Sequence, residues 1–284
     1  MSIHQVCVFG GGVMGRQISL CAAIHGYDAT VYDISEKCCA DVASWSEEYL
    51  AGRIAKGRMT ADEVAAVKSR FHIASDAKEA LRGADCVVEC VSEREEIKKS
   101  AFETIRQYAD PNAIIATNSS YMVSSTFKDF VNDPSKLANM HFYNPALVMK
   151  FVEIVKGPHT SEETAQELFA FCESCGKVPI LMKKELPGFA ANYILAGVYE
   201  RAKYLVENGY CTFDEVDKAC EYGLNWPLGP FRLNDLTGID LSYDILKAKY
   251  EKTGVKPDCF ELYENLYKQG RLGKKTGHGF YDYV

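Results

Sequence analysis

The stretch HFYNPALVMKFVEIV, which begins at His141, contains two side chains that are suited to proton transfer. Imidazole ionises near neutral pH, so His141 can take a proton from a hydroxyl group and later return it. LANMHF and MKFVEIV both have the apolar pattern of strands, and if they pair antiparallel, Glu153 can reach His141. A carboxylate in that position would orient the histidine and stabilise its charged form. A histidine on a strand is more often a hydrogen-bonded core residue. The pair alone is therefore consistent with a catalytic role and with a structural role.

A glycine-rich loop near the N-terminus has the form of a phosphate-binding turn. It follows the apolar run VCVF and precedes a helical pattern that extends through Ile24. Glycines in that context allow a pyrophosphate to approach the backbone closely, and the helix N-terminus offers unpaired N–H groups. The pattern G-x-G-x-x-G therefore predicts a dinucleotide site, formed by Gly10, Gly12, Val13, Met14 and Gly15.

The second strand-like run, ATVYD, ends at Asp33. An acidic side chain in that position accepts hydrogen bonds from ribose hydroxyl groups and repels a 2′-phosphate. The following Ile34 and Ser35 offer no arginine that could bind such a phosphate. The sequence therefore predicts NAD(H) rather than NADP(H) as the cofactor, and hydride transfer as the reaction that His141 would accompany.

These residues would be positioned by a sheet with helices on its faces. Strand-like runs separated by helical patterns predict an α/β fold with a Rossmann-like, doubly wound sheet. The runs are VCVFG, ATVYD, DCVVECV, AIIATN, LANMHF, MKFVEIV and KVPILM. A helical excursion over about residues 35–70 interrupts the alternation, and Thr60-x-x-Glu63 is a capping box within it. We predict that this domain spans residues 1–184.

Beyond Pro187-Gly188 the sequence contains only helical patterns, among them ANYILAGVYERAKYLVENG and LSYDILKAKYE. We therefore predict a second, smaller, all-helical domain over residues 185–284. Its content of tyrosine, leucine and isoleucine exceeds what a thin helical layer can bury. This excess favours a homodimer formed through the second domain.

Composition restricts the partners of the chain. In 284 residues, 39 acidic and 32 basic side chains give a net charge of −7, which argues against nucleic acid or an anionic membrane as the main partner. No apolar window is long enough to span a bilayer, and the N-terminus lacks the features of a signal peptide. The 11 cysteines are scattered through apolar segments, which suits reduced, buried thiols. We expect a cytoplasmic protein.

Cys172-x-x-Cys175 has a spacing that occurs in zinc and redox sites. The pair lies in an amphipathic helical pattern that ends at Gly176, with no second pair or nearby histidine to complete a metal site. We predict that these cysteines are structural and that the protein binds no metal.

The motifs along the chain resemble those of a known family. VFGGGVMG, ATNSSYM, HFYNPALVMKFVEIV, KELPGFAANY, WPLGPF and KTGHGFYDY occur in the order and spacing of the short-chain L-3-hydroxyacyl-CoA dehydrogenases. The resemblance covers nearly the whole chain. It implies that an L-3-hydroxyacyl thioester of coenzyme A is oxidised to the 3-ketoacyl thioester with NAD, or that the reverse reduction occurs.

The resemblance also assigns catalytic roles. His141 matches the family's base and Glu153 its partner, while Asn192 and Ser120 match residues that contact the substrate oxygen. Ser119 is an alternative to Ser120, but an alignment without a gap through Thr117-Asn118 selects Ser120.

Further matches concern the cofactor and the acyl carrier. Glu93, Lys98, Asn118 and Asn144 match cofactor contacts, although EREEIKK also reads as an exposed, charged helix start. Lys56 matches a lysine that contacts coenzyme A, and Arg53 adds a second positive charge beside it for the substrate's phosphates. A serine contact of the family falls on Tyr49 here, and a solvated basic helix end remains the alternative for this cluster.

Two other functions remain open at this point. One is a related NAD-dependent dehydrogenase of free hydroxy acids, which would keep the His-Glu pair but lack a coenzyme A site. The other is a non-catalytic NADH-binding regulator, against which the retained proton-transfer residues argue.

Overall fold

The computed structural model describes residues 3–283 and separates the chain into two compact units, Met1–Ala190 and Ala191–Val284. The sequence placed the division after residue 184. Gly188 (φ 81°) and Phe189 (φ 50°) both adopt a left-handed backbone in the turn just before the division. The Pro-Gly dipeptide that suggested the boundary is therefore part of this turn.

The first unit contains one eight-stranded sheet in the order β3-β2-β1-β4-β5-β6-β7-β8. Its strands are β1 (Gln5–Phe9), β2 (Asp28–Tyr32), β3 (Phe71–Ala74), β4 (Cys86–Glu89), β5 (Ile114–Thr117), β6 (Leu137–Phe142), β7 (Phe151–Val155) and β8 (Val178–Met182). The strands from β1 to β6 pair in parallel, whereas β7 pairs antiparallel to β6 and parallel to β8. The predicted doubly wound sheet is confirmed.

The strand order reverses beside β1, which has β2 on one side and β4 on the other. In such sheets, ligands bind beyond the carboxyl ends of the strands at this reversal. The glycine loop follows β1 directly, so the fold places it at that point. The sequence reading missed β3, because this edge strand has only four residues and its burial is partial along its length.

Among residues 3–190, six helices accompany the sheet. They are α1 (Val13–Ile24), α2 (Glu36–Ala55), α3 (Ala61–Lys68), α4 (Ala77–Leu81), α5 (Glu95–Tyr108) and α6 (Glu162–Ser174). Three 3₁₀ turns lie between β5 and β6, at Ser124–Thr126, Lys128–Phe130 and Pro134–Lys136. Helices α2 and α3 lie where the sequence predicted a helical excursion, and the side chains of Thr60 and Glu63 form the reciprocal cap of α3.

Hydrophobic residues fill both faces of the sheet. Side chains alternate along β1, so Val6 and Val8 pack into one cluster while Cys7 and Phe9 pack into the other. Burial on both faces explains why the central strands are continuous apolar runs rather than alternating patterns. A polar side chain that points out of such a strand is therefore costly unless it is hydrogen-bonded.

The second unit is helical, as predicted. Its helices are α7 (Phe189–Glu207), which begins just before the division, α8 (Phe213–Lys218), α9 (Pro230–Thr237), α10 (Ile239–Thr253) and α11 (Phe260–Lys268), with a π turn at Ala219–Gly223 and a 3₁₀ turn at Lys274–Thr276. Their core contains many aromatic rings, among them Phe231, Tyr263 and Phe280. The buried carboxylate of Asp235 accepts hydrogen bonds from the N–H groups of Phe280 and Tyr281 and thereby holds the C-terminal segment.

The described residues hold neither a membrane-spanning helix nor a metal-binding cluster. Within residues 3–283, no helix has both the length and the apolar character that a membrane crossing needs. No cluster of three or more potential metal-ligating side chains occurs in the same range. Cys172 and Cys175 are both buried thiols at the end of α6.

Candidate active site

The pairing of β6 with β7 brings the two proton-transfer candidates together. In the antiparallel register, His141 lies directly opposite Glu153, and Nδ1 of His141 is 2.9 Å from Oε2 of Glu153. The side chains are 5% and 0% exposed, respectively. A carboxylate can only accept a hydrogen bond, so Nδ1 carries the proton and Nε2 has its lone pair available.

The carboxylate of Glu153 has further donors. The hydroxyl of Tyr143 donates to Oε2 over 2.9 Å, and the backbone N–H of Ala190 donates to Oε1 over 2.9 Å. These bonds compensate for the burial of a charged group, which would otherwise be strongly unfavourable. Burial and the hydrogen bond to Glu153 raise the pKa of the Tyr143 hydroxyl well above its ordinary value.

The loop after β5 supplies a hydroxyl to the other side of the imidazole. Oγ of Ser120 is 3.0 Å from Nε2 of His141. Because Nε2 is the acceptor, the serine hydroxyl donates this bond. Ser119 instead donates to Glu93 and accepts from the N–H of Met122, and it is 1% exposed. The structure thus places Ser120, not Ser119, beside the candidate base.

Glu93 and Lys98 belong to an ion-pair network that contacts the loop after β5 through Ser119. Lys98 is buried, with its amine 2.8 Å from Oε1 of Glu89 and 3.1 Å from Oε2 of Glu93. Burial acts to raise the pKa of Glu93, but the hydrogen bond from Ser119 and the charge of Lys98 outweigh it, so the pKa lies below its ordinary value. Lys98 is therefore not an exposed cation. Its direct cofactor contact stays a prediction, and its observed contacts hold Glu93 in place.

Two asparagines lie at the carboxyl ends of the neighbouring strands. Oδ1 of Asn118, just after β5, accepts a hydrogen bond from the N–H of Phe142 over 2.8 Å. Asn144 follows β6 and is exposed, and its Oδ1 lies 3.4 Å from Nε2 of Gln17 on α1. Both amides therefore lie at the edge of the sheet where the glycine loop lies.

The glycine loop has the shape that a dinucleotide requires. A Cβ on Gly15 would lie 1.7 Å from the carbonyl oxygen of Gly10, so only glycine lets α1 begin this close to β1. Gly10 has φ +117°, and a Cβ there would lie 2.7 Å from the carbonyl oxygen of Cys90. At Gly12, the N-cap of α1, a Cβ would meet nothing within 4 Å, and no side chain caps the helix. The open helix N-terminus fits a pyrophosphate.

Asp33 completes this part of the site. Its Oδ2 accepts a hydrogen bond from the N–H of Gly11 over 2.8 Å, and its Oδ1 accepts one from the N–H of Ser35 over 2.9 Å. The carboxylate is therefore fixed at the end of β2, beside the glycine loop. An acid held there is suited to ribose hydroxyl groups, as the sequence predicted.

The basic cluster proposed for the acyl carrier lies at the end of α2. Arg53 is in the last turn and Lys56 is the C-cap residue, with an exposed side chain. Nε of Arg53 is buried and has no hydrogen-bond partner among the described residues. Tyr49 stacks against Trp45 at a ring distance of 5.6 Å, so its position serves packing. Asn192 lies in the first turn of α7. Its substrate contact stays a prediction.

Comparison with known proteins decides the family. Residues 5–186 match the family described as 3-hydroxyacyl-CoA dehydrogenase, NAD binding domain, and residues 188–283 match the one described as 3-hydroxyacyl-CoA dehydrogenase, C-terminal domain. The chain belongs to the 3-hydroxyacyl-CoA dehydrogenase family. It is an NAD-dependent oxidoreductase, and the resemblance that the motifs indicated is confirmed.

Individual relatives cover the whole chain. A probable 3-hydroxybutyryl-CoA dehydrogenase of Bacillus subtilis (strain 168) is 34% identical over 284 residues, covering 100% of this chain and 98% of the relative. The crystal structure of (S)-3-hydroxybutyryl-CoA dehydrogenase from Ralstonia eutropha matches with a TM-score of 0.89 and 29% identity, covering 100% of both chains. A diketoreductase structure, described by its dual catalysis of dicarbonyl compounds, matches with a TM-score of 0.90 and 29% identity over the same coverage.

Two residues at this dehydrogenase's site were missed by the sequence reading. Glu89 is a buried acid in the run DCVVECV, and it binds Lys98 and the hydroxyl of Thr117. An acid inside an otherwise apolar strand was the available signal, because such a charge requires a partner. Tyr143 received no role, although its position two residues beyond His141 places both side chains on the same side of an extended chain.

We expect Asp33→Ala to lower kcat/KM for NADH about 10- to 100-fold, because hydrogen bonds to a charged group contribute about 1.5–3 kcal/mol. The discrimination against NADPH should shrink as well, since the negative charge that repels a 2′-phosphate is gone. Steady-state kinetics with both cofactors measures this. Asp28→Ala, which removes an exposed carboxylate at the start of β2, is the matched control. An unchanged preference for NADH would contradict the role of Asp33.

Proposed function

We propose that this dehydrogenase interconverts short-chain (S)-3-hydroxyacyl-CoA and 3-ketoacyl-CoA, with 3-hydroxybutyryl-CoA and acetoacetyl-CoA as the principal pair. The names of the B. subtilis and R. eutropha relatives support this chain length. The observation that carries the mechanism is the hydrogen-bonded series from Ser120 through His141 to Glu153. It supports His141 as the group that transfers the proton.

In the oxidation, Nε2 of His141 takes the proton of the substrate's 3-hydroxyl group while C3 releases its hydrogen as hydride. NAD⁺ supplies the acceptor for that hydride. Glu153 keeps the Nδ1–H tautomer in place and stabilises the imidazolium that forms. The bond from Ser120 to Nε2 supports this geometry, because it shows that a hydroxyl group can reach the base.

In the reduction, protonated His141 returns the proton to the carbonyl oxygen. Negative charge develops on that oxygen in the transition state, and hydroxyl and amide donors stabilise it. Ser120 and Asn192 are the proposed donors. Glu93 holds the serine loop, since it accepts hydrogen bonds from the N–H of Ser120 over 3.2 Å and from the hydroxyl of Ser119, and its contact with the cofactor stays a prediction.

The acyl carrier is proposed to bind at the end of α2. Its phosphates need positive charges, which Lys56 and Arg53 supply there. The buried Nε of Arg53, which lacks a partner among residues 3–283, supports a ligand at this place. Tyr49 replaces the family's serine contact, so the carrier must be held differently at that position.

The proposal is tested by following NADH absorbance after addition of acetoacetyl-CoA, beside free acetoacetate and beside NADPH as the reductant. We expect rapid loss of absorbance only with the thioester and NADH. Absence of turnover with acetoacetyl-CoA and with its longer 3-ketoacyl homologues would contradict the proposed reaction. Faster turnover of the longer homologues would contradict only the proposed chain length.

A second candidate is the reduction of dicarbonyl compounds that carry no coenzyme A. The structural match to the diketoreductase favours it, because the match covers both chains completely. The chemistry at His141 would be the same, and only the recognition of the carrier would be lost. Equal kcat/KM for a dicarbonyl compound without coenzyme A and for acetoacetyl-CoA would support this candidate over the first.

We also propose a homodimer that forms through the second unit, in a reducing compartment such as the cytoplasm. Leu241 and Ile245 lie one turn apart on α10 and are 56% and 54% exposed, and Leu236 on α9 is 58% exposed. Such apolar surface favours association. The 11 free thiols suit a reducing compartment. Light scattering at micromolar concentration measures the mass, and a monomer would contradict the dimer.

A further inference from the structure

We propose that Tyr143 is a positioning residue of the proton-transfer site, whose hydroxyl holds Glu153 and thereby sets the pH at which His141 works as a base. This inference rests on the proposed function, since it concerns the same histidine. It adds a third member to the pair of His141 and Glu153. The geometry at a single carboxylate oxygen carries it.

Oε2 of Glu153 receives two side-chain donors at the same distance. Nδ1 of His141 and the hydroxyl of Tyr143 both lie 2.9 Å from this oxygen. Tyr143 lies two positions beyond His141, just after β6, so both side chains project from the same side of the extended chain. The centres of the two rings are 4.6 Å apart, which fixes the phenol beside the imidazole.

The direction of the hydrogen bond from Tyr143 follows from its surroundings. A carboxylate has no proton to donate, so the phenol must be the donor. Burial and the hydrogen bond to Glu153 both raise the pKa of Tyr143, so the hydroxyl keeps its proton over the whole working range. Tyr143 is therefore a permanent donor, whereas His141 changes its charge during each turnover.

Two donors on one oxygen compete for the same negative charge. The phenol neutralises part of the charge on Oε2, so less of it remains to stabilise the imidazolium form of His141. Removal of the hydroxyl would leave more of that charge to the histidine. The charged form of His141 would then persist to higher pH, and a neutral base would be available only at higher pH.

The other groups around the phenol do not replace it. Phe151 packs against its ring at 5.4 Å and is apolar. On the far side of β7, β8 places Ile180 opposite Glu153, which adds no charge. Tyr121, after β5, is 57% exposed, and Ser120 lies at the opposite nitrogen of His141. Glu93 reaches the N–H of Ser120 rather than the carboxylate.

The test is Tyr143→Phe, which removes the hydroxyl and keeps both ring contacts. We expect the acidic limb of the pH profile of kcat, for oxidation of 3-hydroxybutyryl-CoA, to move up by about half to one pH unit. The basic limb for acetoacetyl-CoA reduction should move in the same direction, because that reaction needs the charged histidine. Tyr108→Phe, which makes the same change at a partly exposed tyrosine at the end of α5, is the matched control.

A second measurement separates this inference from the proposed reaction. The imidazole of His141 is titrated by NMR in the cofactor-free protein, with its signal assigned by its loss in His141→Gln. We expect the titration midpoint of His141 to be higher in Tyr143→Phe than in the unsubstituted protein, by about half to one pH unit. If the midpoint of His141 is the same in both proteins and kcat is reduced by the same factor at every pH, the inference is overturned. Tyr143 then has only a packing role. A wild-type protein without hydroxyacyl-CoA turnover would overturn the proposed reaction alone, and the NMR result would still decide the role of Tyr143.

Discussion

His141→Ala should lower kcat for acetoacetyl-CoA reduction by about three orders of magnitude, because general acid catalysis contributes roughly 10²- to 10⁴-fold. Affinity for NADH should stay close to that of the unsubstituted enzyme. The residues predicted to hold the pyrophosphate and the ribose are the glycine loop and Asp33, and His141 contacts neither of them in the described structure. Steady-state kinetics measures the first effect, and a fluorescence titration with NADH measures the second.

The matched control for this substitution is His72→Ala. His72 lies on β3 in the same sheet, but its side chain is 50% exposed and pairs with Asp28 at the surface. A surface pair of this kind contributes little to stability, so the variant should keep its kcat and its melting temperature. Turnover by His141→Ala within about tenfold of the control would contradict the assignment of the base, since general acid catalysis is worth more than that.

The part of the site that the sequence could predict depends on chain periodicity. LANMHF and MKFVEIV are strands joined by a short connection, and their antiparallel pairing was a hypothesis that the register confirms. Once the strands pair, the two-residue repeat decides which side chains share a face. The sequence could therefore match His141 with Glu153 as a hypothesis that depends on the antiparallel pairing.

Side-chain contacts between distant segments could not be predicted in the same way. Ser119 and Ser120 are adjacent and of the same type, and only the path of the loop after β5 decides which hydroxyl meets His141. Glu89 and Lys98 lie on different elements, and a strand residue's charge does not reveal which helix will neutralise it. For EREEIKK, composition indicated an exposed helix start. That is right for most of the segment and wrong for Lys98, which is 1% exposed.

The missed edge strand shows a related limit. FHIA at β3 has four residues, and its second side chain, His72, faces solvent. A segment this short lacks the apolar run that marks a central strand, so only its pairing with β2 identifies it. With β3 included, the strands on one side of β1 are complete, and the glycine loop lies where the strand order reverses beside β1.

Glu153→Gln should lower activity or stability, depending on which way its carboxamide faces. The carboxylate accepts donors at both oxygens, from His141 and Tyr143 at Oε2 and from Ala190 at Oε1. A carboxamide has only one oxygen, so its NH₂ group must face a donor in either orientation. With NH₂ towards Ala190, a partly buried N–H loses its acceptor, and the free energy of unfolding should fall by about 1 kcal/mol.

With NH₂ towards His141, the imidazole loses the acceptor that holds its Nδ1–H tautomer, and kcat should fall by about two orders of magnitude, less than in His141→Ala because the base itself remains. Urea unfolding and steady-state kinetics measure the two effects, and Glu173→Gln, at an exposed glutamate near the end of α6, is the matched control. Normal stability and normal kcat together would contradict the role of the carboxylate. His141→Ala removes the base but leaves Glu153 in place. A smaller loss of kcat in Glu153→Gln than in His141→Ala would therefore show that the histidine acts on the substrate directly. The carboxylate would then act through the histidine.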